Sequence, residues 1–407
     1  MAVVSRRGNA KTWQTLEGYA YLAPALLIIG TFYIFPIFFT LFVGSHTWRI
    51  RRGDFIGLDN FQEIFGSFLW LGALVLAVVA IVIGVRLLRQ GNVYRLGTRM
   101  SLGAGSEAGA GKYGLLPARI VGAGLLAGGI SAVITGLPAI RELGDEAMLD
   151  SLQVTVWYAL GTVPVQLVVG LLIAVLLDQR FRGRQFFRAV YLLPYIVPAV
   201  AAAAVFERLL GLRPESLANQ VVLIFSDEPL EWLRETRGIL EMLFGWGSGE
   251  AAGRVAAYWQ DWARGPSLAL VSIMFFNHWV YSGYYALIFA NGLSNIPRNL
   301  YEAAEVDGAP KRSVFFRIVL PLVSPSTYFL SLLGLIGTFK AFDSVYVLRN
   351  PAARGAADPM SIYIFFTFFR RQRFGYAAAL ALVLFVIVLG LTIVQRRYME
   401  RRVFYGD

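Results

Sequence analysis

The sequence contains no cysteine. That excludes disulfides, thiolate nucleophiles and cysteine-ligated metals. Histidine is almost as scarce: His46 and His278 stand far apart in the chain and do not suggest a zinc site. Charge is thin as well. Only 15% of the 407 residues are charged, against about 25% in a typical soluble protein. Hydrophobic residues fill the space, at 57% of the chain, and the mean hydropathy is +0.58. This composition predicts an all-α polytopic membrane protein. The formal charge of +11 does not point to nucleic acid, because the basic residues flank apolar runs, the pattern of membrane orientation.

A membrane span needs about 20 mostly apolar residues. Eight segments qualify: 19–44, 68–88, 117–140, 153–177, 189–210, 267–291, 318–342 and 376–395. The first follows a polar stretch carrying Arg6, Arg7 and Lys11, and is too long for a signal-peptide core, so it reads as an uncleaved span. The third is rich in glycine (Gly122, Gly124, Gly128, Gly129, Gly136), which suits close helix packing. With the N-terminus inside, the inner segments hold 21 lysines and arginines against 14 outside, and 8 acids against 17. Both termini are therefore expected in the cytoplasm, although Arg370, Arg371 and Arg373 run against the trend. The expected divisions are 1–67, with the first span; 68–149, an additional pair of spans around a Gly-rich loop; and 150–407, a core with a periplasmic insertion at 211–266 and a cytoplasmic loop at 292–317.

Two connecting segments invite a closer reading. Within 86–116, Gly109, Gly111 and Gly114 satisfy G-x-G-x-x-G, but an apolar span follows where a nucleotide site needs a strand before and a helix after. Ser106 and Tyr113 likewise spoil a phosphate-binding loop, so the stretch reads as a linker. The 211–266 insertion contains Trp232, Trp246, Trp259 and Trp262, and 230–244 has helical spacing, which predicts a cap of amphipathic helices partly at the membrane surface.

The most informative stretch is YEAAEVDGAPKRSVFFRIVLPLVSP, residues 301–325. Pro297 is a suitable helix start, and Leu300, Ala303, Ala304 and Ala309 can line one face. Glu302 and Glu305 fall near the first turn, where the helix dipole favours negative charge. Gly308 permits a bend, and Pro310 prevents simple continuation. A second amphipathic stretch then leads to Pro321. A helix-turn-helix of this size cannot fold alone and suits a groove in another protein.

Glu302-Ala303-Ala304, then Gly308, then Ile318-Val319-Leu320-Pro321 resembles the EAA loop of ABC importer permeases. YLAPALLIIGTFYIFPIFFTLFVGS, DQRFRGRQFFRAVYLLPYIVPAV, GTFKAFDSVYVL and RFGYAAALALVLF are similar to the sugar-type members, in particular to the larger permease of maltose systems, over about two thirds of the chain. The resemblance implies a type I importer permease core. It also implies that Glu302, Ala303, Ala304, Asp307 and Gly308 belong to a coupling helix that docks on a separate ATPase. Two such ATPase subunits would bind ATP and Mg²⁺, this chain holding neither. A homologous second permease and a periplasmic or lipid-anchored solute-binding protein complete the implied assembly, in the inner membrane. The chain departs from the pattern in its extra spans at 68–140, its longer 211–266 segment, and NPAARGAADP where Gly-Gly-Pro is usual.

Polar residues within spans carry a cost and usually have a reason. Asn277, Tyr281 and Tyr284 share a helix face by spacing and can hydrogen-bond and stack on a sugar, or bind neighbouring helices together. The resemblance places Asn277 and Tyr284 at sugar-binding positions. Thr338, Lys340 and Asp343 follow near the end of the seventh span, where Lys340 and Asp343 can pair and either line the pathway or snorkel at the outer boundary. The expected function is ATP-driven carbohydrate import without catalysis by this chain. The alternatives are a permease for a solute such as glycerol phosphate, or an ion-coupled secondary transporter. The latter calls for acids deep in spans and for internal repeats, and neither is present.

Overall fold

A computed structural model describes residues 4–101, 115–179, 182–250, 253–353, 355–400 and 403. The glycine motif at 109–114 lies outside them. In chain order the helices are α1 (Val4–Ile29), α2 (Phe35–Gly44), α3 (Asp59–Phe65), α4 (Phe68–Ser101), α5 (Leu115–Leu143), α6 (Glu146–Asp178), α7 (Arg184–Ile196) and α8 (Ala199–Leu209). Then follow α9 (Leu217–Val222), α10 (Ile239–Phe244), α11 (Arg254–Ala263), α12 (Leu268–Ser294) and α13 (Arg298–Val306). The last are α14 (Lys311–Val314), α15 (Leu320–Leu322), α16 (Ser324–Phe339), α17 (Asp343–Leu348), α18 (Met360–Phe369) and α19 (Phe374–Met399). One antiparallel hairpin, β1 (His46–Trp48) with β2 (Arg52–Phe55), follows α2.

Among the described residues five helices are long and apolar enough to cross a membrane, and seven spans result if each of two bent pairs counts as one. Eight were expected. The expected segment 267–291 is a helix of sufficient length, α12, but Asn277, His278, Tyr281, Tyr284 and Tyr285 dilute its apolar character. The expected spans at 189–210 and 318–342 are not straight. α7 and α8 meet at 95°, and α14–α15 meets α16 at 61°. Prolines explain both breaks. Val197 is extended before Pro198, as the proline ring demands of its predecessor. The second break falls at Val323, where Pro325 sits in the first turn of α16; within the preceding helix, Pro321 cannot donate to the carbonyl four residues back, and the turn just before it, Phe315–Val319, widens to a π-helix. Gly30–Ile34 does the same ahead of Pro36.

By internal packing the chain forms two compact units. One comprises Met1–Phe61 and Ile364–Ile387. In it, Asn60 donates to the carbonyls of Gly44 and His46 at 2.8 and 3.4 Å, tying α3 to the hairpin. Most apolar side chains of α2 are exposed, among them Ile37, Phe38 and Leu41, as a bilayer-facing helix requires.

The other unit comprises Gln62–Tyr363 and Val388–Asp407. α4 and α5 pack along each other, and glycine allows their approach: a Cβ at Gly129 would meet the Ala77 carbonyl oxygen and Ile81 Cγ1, each at 2.7 Å. The glycine-rich composition of 117–140 thus serves tight packing. At the end of α5, Arg141 pairs with Glu146, Asp150 and Asp261 at 3.1, 3.1 and 2.9 Å. Trp259 donates to the Ile134 carbonyl at 2.9 Å. The added hairpin is therefore fastened to α6 and to the 211–266 insertion. That insertion is built around Asn219, fully buried, whose Oδ1 accepts from Leu230 N and Trp232 Nε1 at 3.0 and 2.9 Å. The helix expected across 230–244 is confined to Ile239–Phe244. Glu235, Arg237 and Ile239 instead exchange backbone bonds with Pro266, Leu268 and Ala269, and this extended pairing overrides local helical spacing.

Gly129→Val should force α4 and α5 apart, lowering stability by about 1–3 kcal/mol. Thermal unfolding of the detergent-solubilised chain should show a lower midpoint, whereas Gly124→Val, whose Cβ meets nothing within 4 Å, should not.

Candidate functional site

Two features of the larger unit carry the candidate function. The first is the turn after α12. Pro297 caps α13, and the helix closes in a Schellman motif: Gly308 N–H reaches the Glu305 carbonyl at 3.0 Å and Ala309 N–H reaches that of Ala304 at 2.9 Å. Gly308 sits at φ +64°, while a Cβ there would touch nothing within 4 Å. Glycine is therefore needed for its conformation and not for space. Tyr301 packs against a buried cluster that includes Leu171, Leu293, Ile296, Val319 and Val323, Ala304 is buried as well, and burial pushes the Tyr301 hydroxyl pKa up. Leu300, Glu302, Ala303, Glu305, Val306 and Asp307 are exposed, Val306 at 88%.

This division corrects the expected single apolar face. Of its four residues only Ala304 is buried, because the i, i+3 pair Tyr301 and Ala304 takes the inward direction. Nor do Glu302 and Glu305 occupy the first turn. The helix begins at Arg298, and its first turn holds no acid, so the dipole contributes little to either glutamate.

The second feature is a cavity of about 230 Å³ walled by α6, α12 and the α16–α17 junction. Asn277, Tyr281, Thr338, Lys340 and Asp343 line it together. Tyr284 does not. Its ring stacks instead on Tyr195 of α7, centroids 4.8 Å apart and planes 19° apart, and Tyr195 also meets Tyr281 edge-on at 5.7 Å. Asn277 is 3% exposed. It donates to the Ile273 carbonyl at 3.0 Å and to Ser344 Oγ at 3.3 Å, while its own carbonyl accepts from Gln166 Nε2 at 3.1 Å.

Lys340 and Asp343 form no ion pair. α16 ends before Lys340 and α17 opens on Asp343, so they do not share a helix face. Each sits at the helix end whose dipole favours its charge. Both are exposed at the cavity.

Five polar lining residues escaped the sequence reading: Tyr158, Thr162 and Gln166 of α6, Tyr285 of α12, and Ser344. The first three recur every fourth residue in an apolar helix, a polar stripe that could have revealed them. Thr162 is 2% exposed, and its hydroxyl has no partner. A buried hydroxyl left unpaired costs about 1–3 kcal/mol, so its presence at the cavity wall suits a site that a polar ligand or water fills.

Residues 166–405 match the family described as binding-protein-dependent transport system inner membrane component. The chain belongs to that family, the multi-pass inner-membrane permease subunits of ABC importers. The sn-glycerol-3-phosphate transport system permease protein UgpA of Agrobacterium fabrum is 30% identical over 287 residues, 68% of this chain and 85% of that protein. The trehalose/maltose transport system permease protein MalF of Thermococcus litoralis is 28% identical over 255 residues, 63% of this chain and 76% of that one. A solved bacterial alginate ABC transporter, in complex with an alginate pentasaccharide-bound periplasmic protein, contains a chain of similar fold. Its TM-score is 0.50 at 20% identity, covering 64% of this chain and 80% of that one.

Thr162→Val removes the unpartnered hydroxyl while keeping shape. Its unfolding midpoint should be unchanged or higher, while substrate-stimulated ATPase activity of the assembled importer should fall at least about fivefold. A lower midpoint with unchanged stimulation would assign Thr162 a packing role alone.

Proposed function

We propose that this chain is a carbohydrate permease, passing an oligosaccharide or polyol through the α6/α12/α16 cavity while α13 couples it to a separate ATPase. The cavity carries this reading. Tyr158, Thr162, Gln166, Asn277, Tyr281, Thr338 and Ser344 are uncharged hydrogen-bonding groups gathered within an otherwise apolar chain. Hydroxyl-rich solutes need many such partners, and aromatic rings complement the apolar faces of a sugar. The sugar systems among the relatives support the choice. Under this reading the chain itself transforms no substrate chemically, and ATP and Mg²⁺ stay on the partner.

In the coupling step, Ala304 and Tyr301 hold α13 to the core while Ala303, Val306 and the flanking carboxylates meet the ATPase cleft. Two ATPase subunits close on ATP and draw the coupling helices together. A second permease completes the pathway, a solute-binding protein delivers from the outer face, and hydrolysis resets the assembly. Both termini lie in the cytoplasm. Residues 68–149 are an appendage to the 150–407 core, and 1–67 precede them.

A second reading has one observation in its favour. Lys340 reaches the cavity without an ion-pair partner among the described residues, and UgpA is among the relatives. A phosphorylated or carboxylated solute would use that ammonium.

Glu302→Lys and Gly308→Pro should each reduce ATPase co-purification at least about tenfold while leaving the permease folded in detergent. Proline cannot adopt φ +64°, and lysine reverses the charge at the exposed face. Retention of both ATPase binding and uptake would overturn the coupling assignment. Neutral and anionic saccharides compared in the ATPase assay decide between the two substrate readings.

A further inference from the structure

Six arginines gather at one end of the smaller unit, and neither transport nor coupling uses them. Arg49, Arg51 and Arg52 lie on the β1–β2 hairpin, and Arg370, Arg371 and Arg373 lie on the turn between α18 and α19. The two groups are neighbours. Gly375, two residues past the turn, abuts the hairpin: a Cβ there would collide with the His46 carbonyl and approach Trp48 N at 3.2 Å. Over 45–61 and 364–376 the sequence holds six arginines and two acids, Asp54 and Asp59.

Their placement is built, not incidental. Arg52 lies over the Phe42 ring at 5.0 Å, Arg370 over Phe366 at 5.6 Å and Arg373 over Tyr376 at 4.3 Å. Between Arg371 and Arg373, Gln372 occupies a left-handed conformation at φ +52°, where glycine is normally required. Wide backbone turns fix this geometry: Arg371 N–H reaches the Phe366 carbonyl at 3.0 Å, and Arg373 N–H reaches that of Thr367 at 3.1 Å. The chain thus accepts backbone strain to present consecutive guanidinium groups.

The level of the patch identifies its ligand. The apolar helix through Glu17–Gly44 ends two residues before β1, and the apolar helix Phe374–Met399 begins one residue after Arg373. Headgroups lie at such span ends. Exposed Ile50, Phe55 and Phe369, at 76%, 72% and 61%, accompany the charges and continue the exposed apolar surface of α2. Bidentate guanidinium groups match phosphate oxygens, and the neighbouring apolar side chains suit the upper acyl region. On the outer side favoured by the charge count, these arginines oppose the orientation signal, so their number calls for a ligand.

We propose that the hairpin and the Arg370–Arg373 turn form a binding site for anionic phospholipid headgroups. The test uses the full chain in nanodiscs of phosphatidylcholine with 20–30% phosphatidylglycerol, about the content that makes a charged surface, followed by delipidation and mass spectrometry of retained lipid. Wild type should retain phosphatidylglycerol over phosphatidylcholine, and the excess should shrink in high salt. Arg49→Gln/Arg51→Gln and, separately, Arg370→Gln/Arg371→Gln should each cut the excess about tenfold. Arg213→Gln, an exposed arginine elsewhere, should leave it unchanged. Two independent double variants guard against misfolding of either one. Equal retention in wild type and both double variants would overturn the site. So would unchanged lipid retention accompanied by weakened solute-binding-protein affinity, which would assign the patch to an acidic protein surface.

Discussion

Inside a bilayer a polar side chain has no water to fall back on, so it must find its partner within the chain or in a ligand. That constraint organises the larger unit. Gln166 of α6 holds the backbone of α12 at Asn277, Asn277 reaches Ser344 of α17, and Thr155 accepts from Met360 N at 2.9 Å. Each bond joins segments distant in sequence, and together they fix the helices around the cavity. Among the buried polar groups left without a partner, which include Trp157 Nε1 and His278 Nδ1, Thr162 is the one at the cavity wall.

One helix connects the cavity to α13 and its exposed face. α12 carries Asn277 and Tyr281, runs on to Ser294, and hands over to α13 through Ile296 and Pro297. From Tyr281 to Ser294 it spans roughly 20 Å. Leu293 and Ile296 are buried in the same cluster that receives Tyr301. A displacement of α13 is therefore transmitted through packed side chains instead of a flexible loop. Gly308 and Pro310 confine the flexible point to the far side of α13, which leaves the α12–α13 junction stiff.

The helix and turn over 297–310 were legible in the positions of Pro297, Gly308 and Pro310, because proline and glycine act locally: each restricts or frees its own dihedral angles whatever surrounds it. The orientation of α13 was not, because the choice of Tyr301 and Ala304 as the inward pair depends on residues such as Leu171 and Val323, more than a hundred positions apart. Similar reasons govern the cavity. Asn277 and Tyr281 stood out as polar residues in an apolar helix, while Tyr284 shares their spacing but is claimed by Tyr195. Spacing cannot foresee a stacking partner on another helix. The expected spans at 189–210 and 318–342 are each bent, a feature that hydropathy, which reads one apolar run, cannot show. The segment 230–244 lost most of its helix to backbone pairing with 266–269.

The central claim is that this chain moves solute only when a neighbouring ATPase turns over. Solute uptake into proteoliposomes tests it most directly, measured with the permease pair and binding protein present, with and without the ATPase subunits and internal ATP. The account predicts accumulation only when ATPase and ATP are both supplied, with no effect from collapsing ion gradients. Accumulation by the permease alone, abolished by an ionophore, would contradict it.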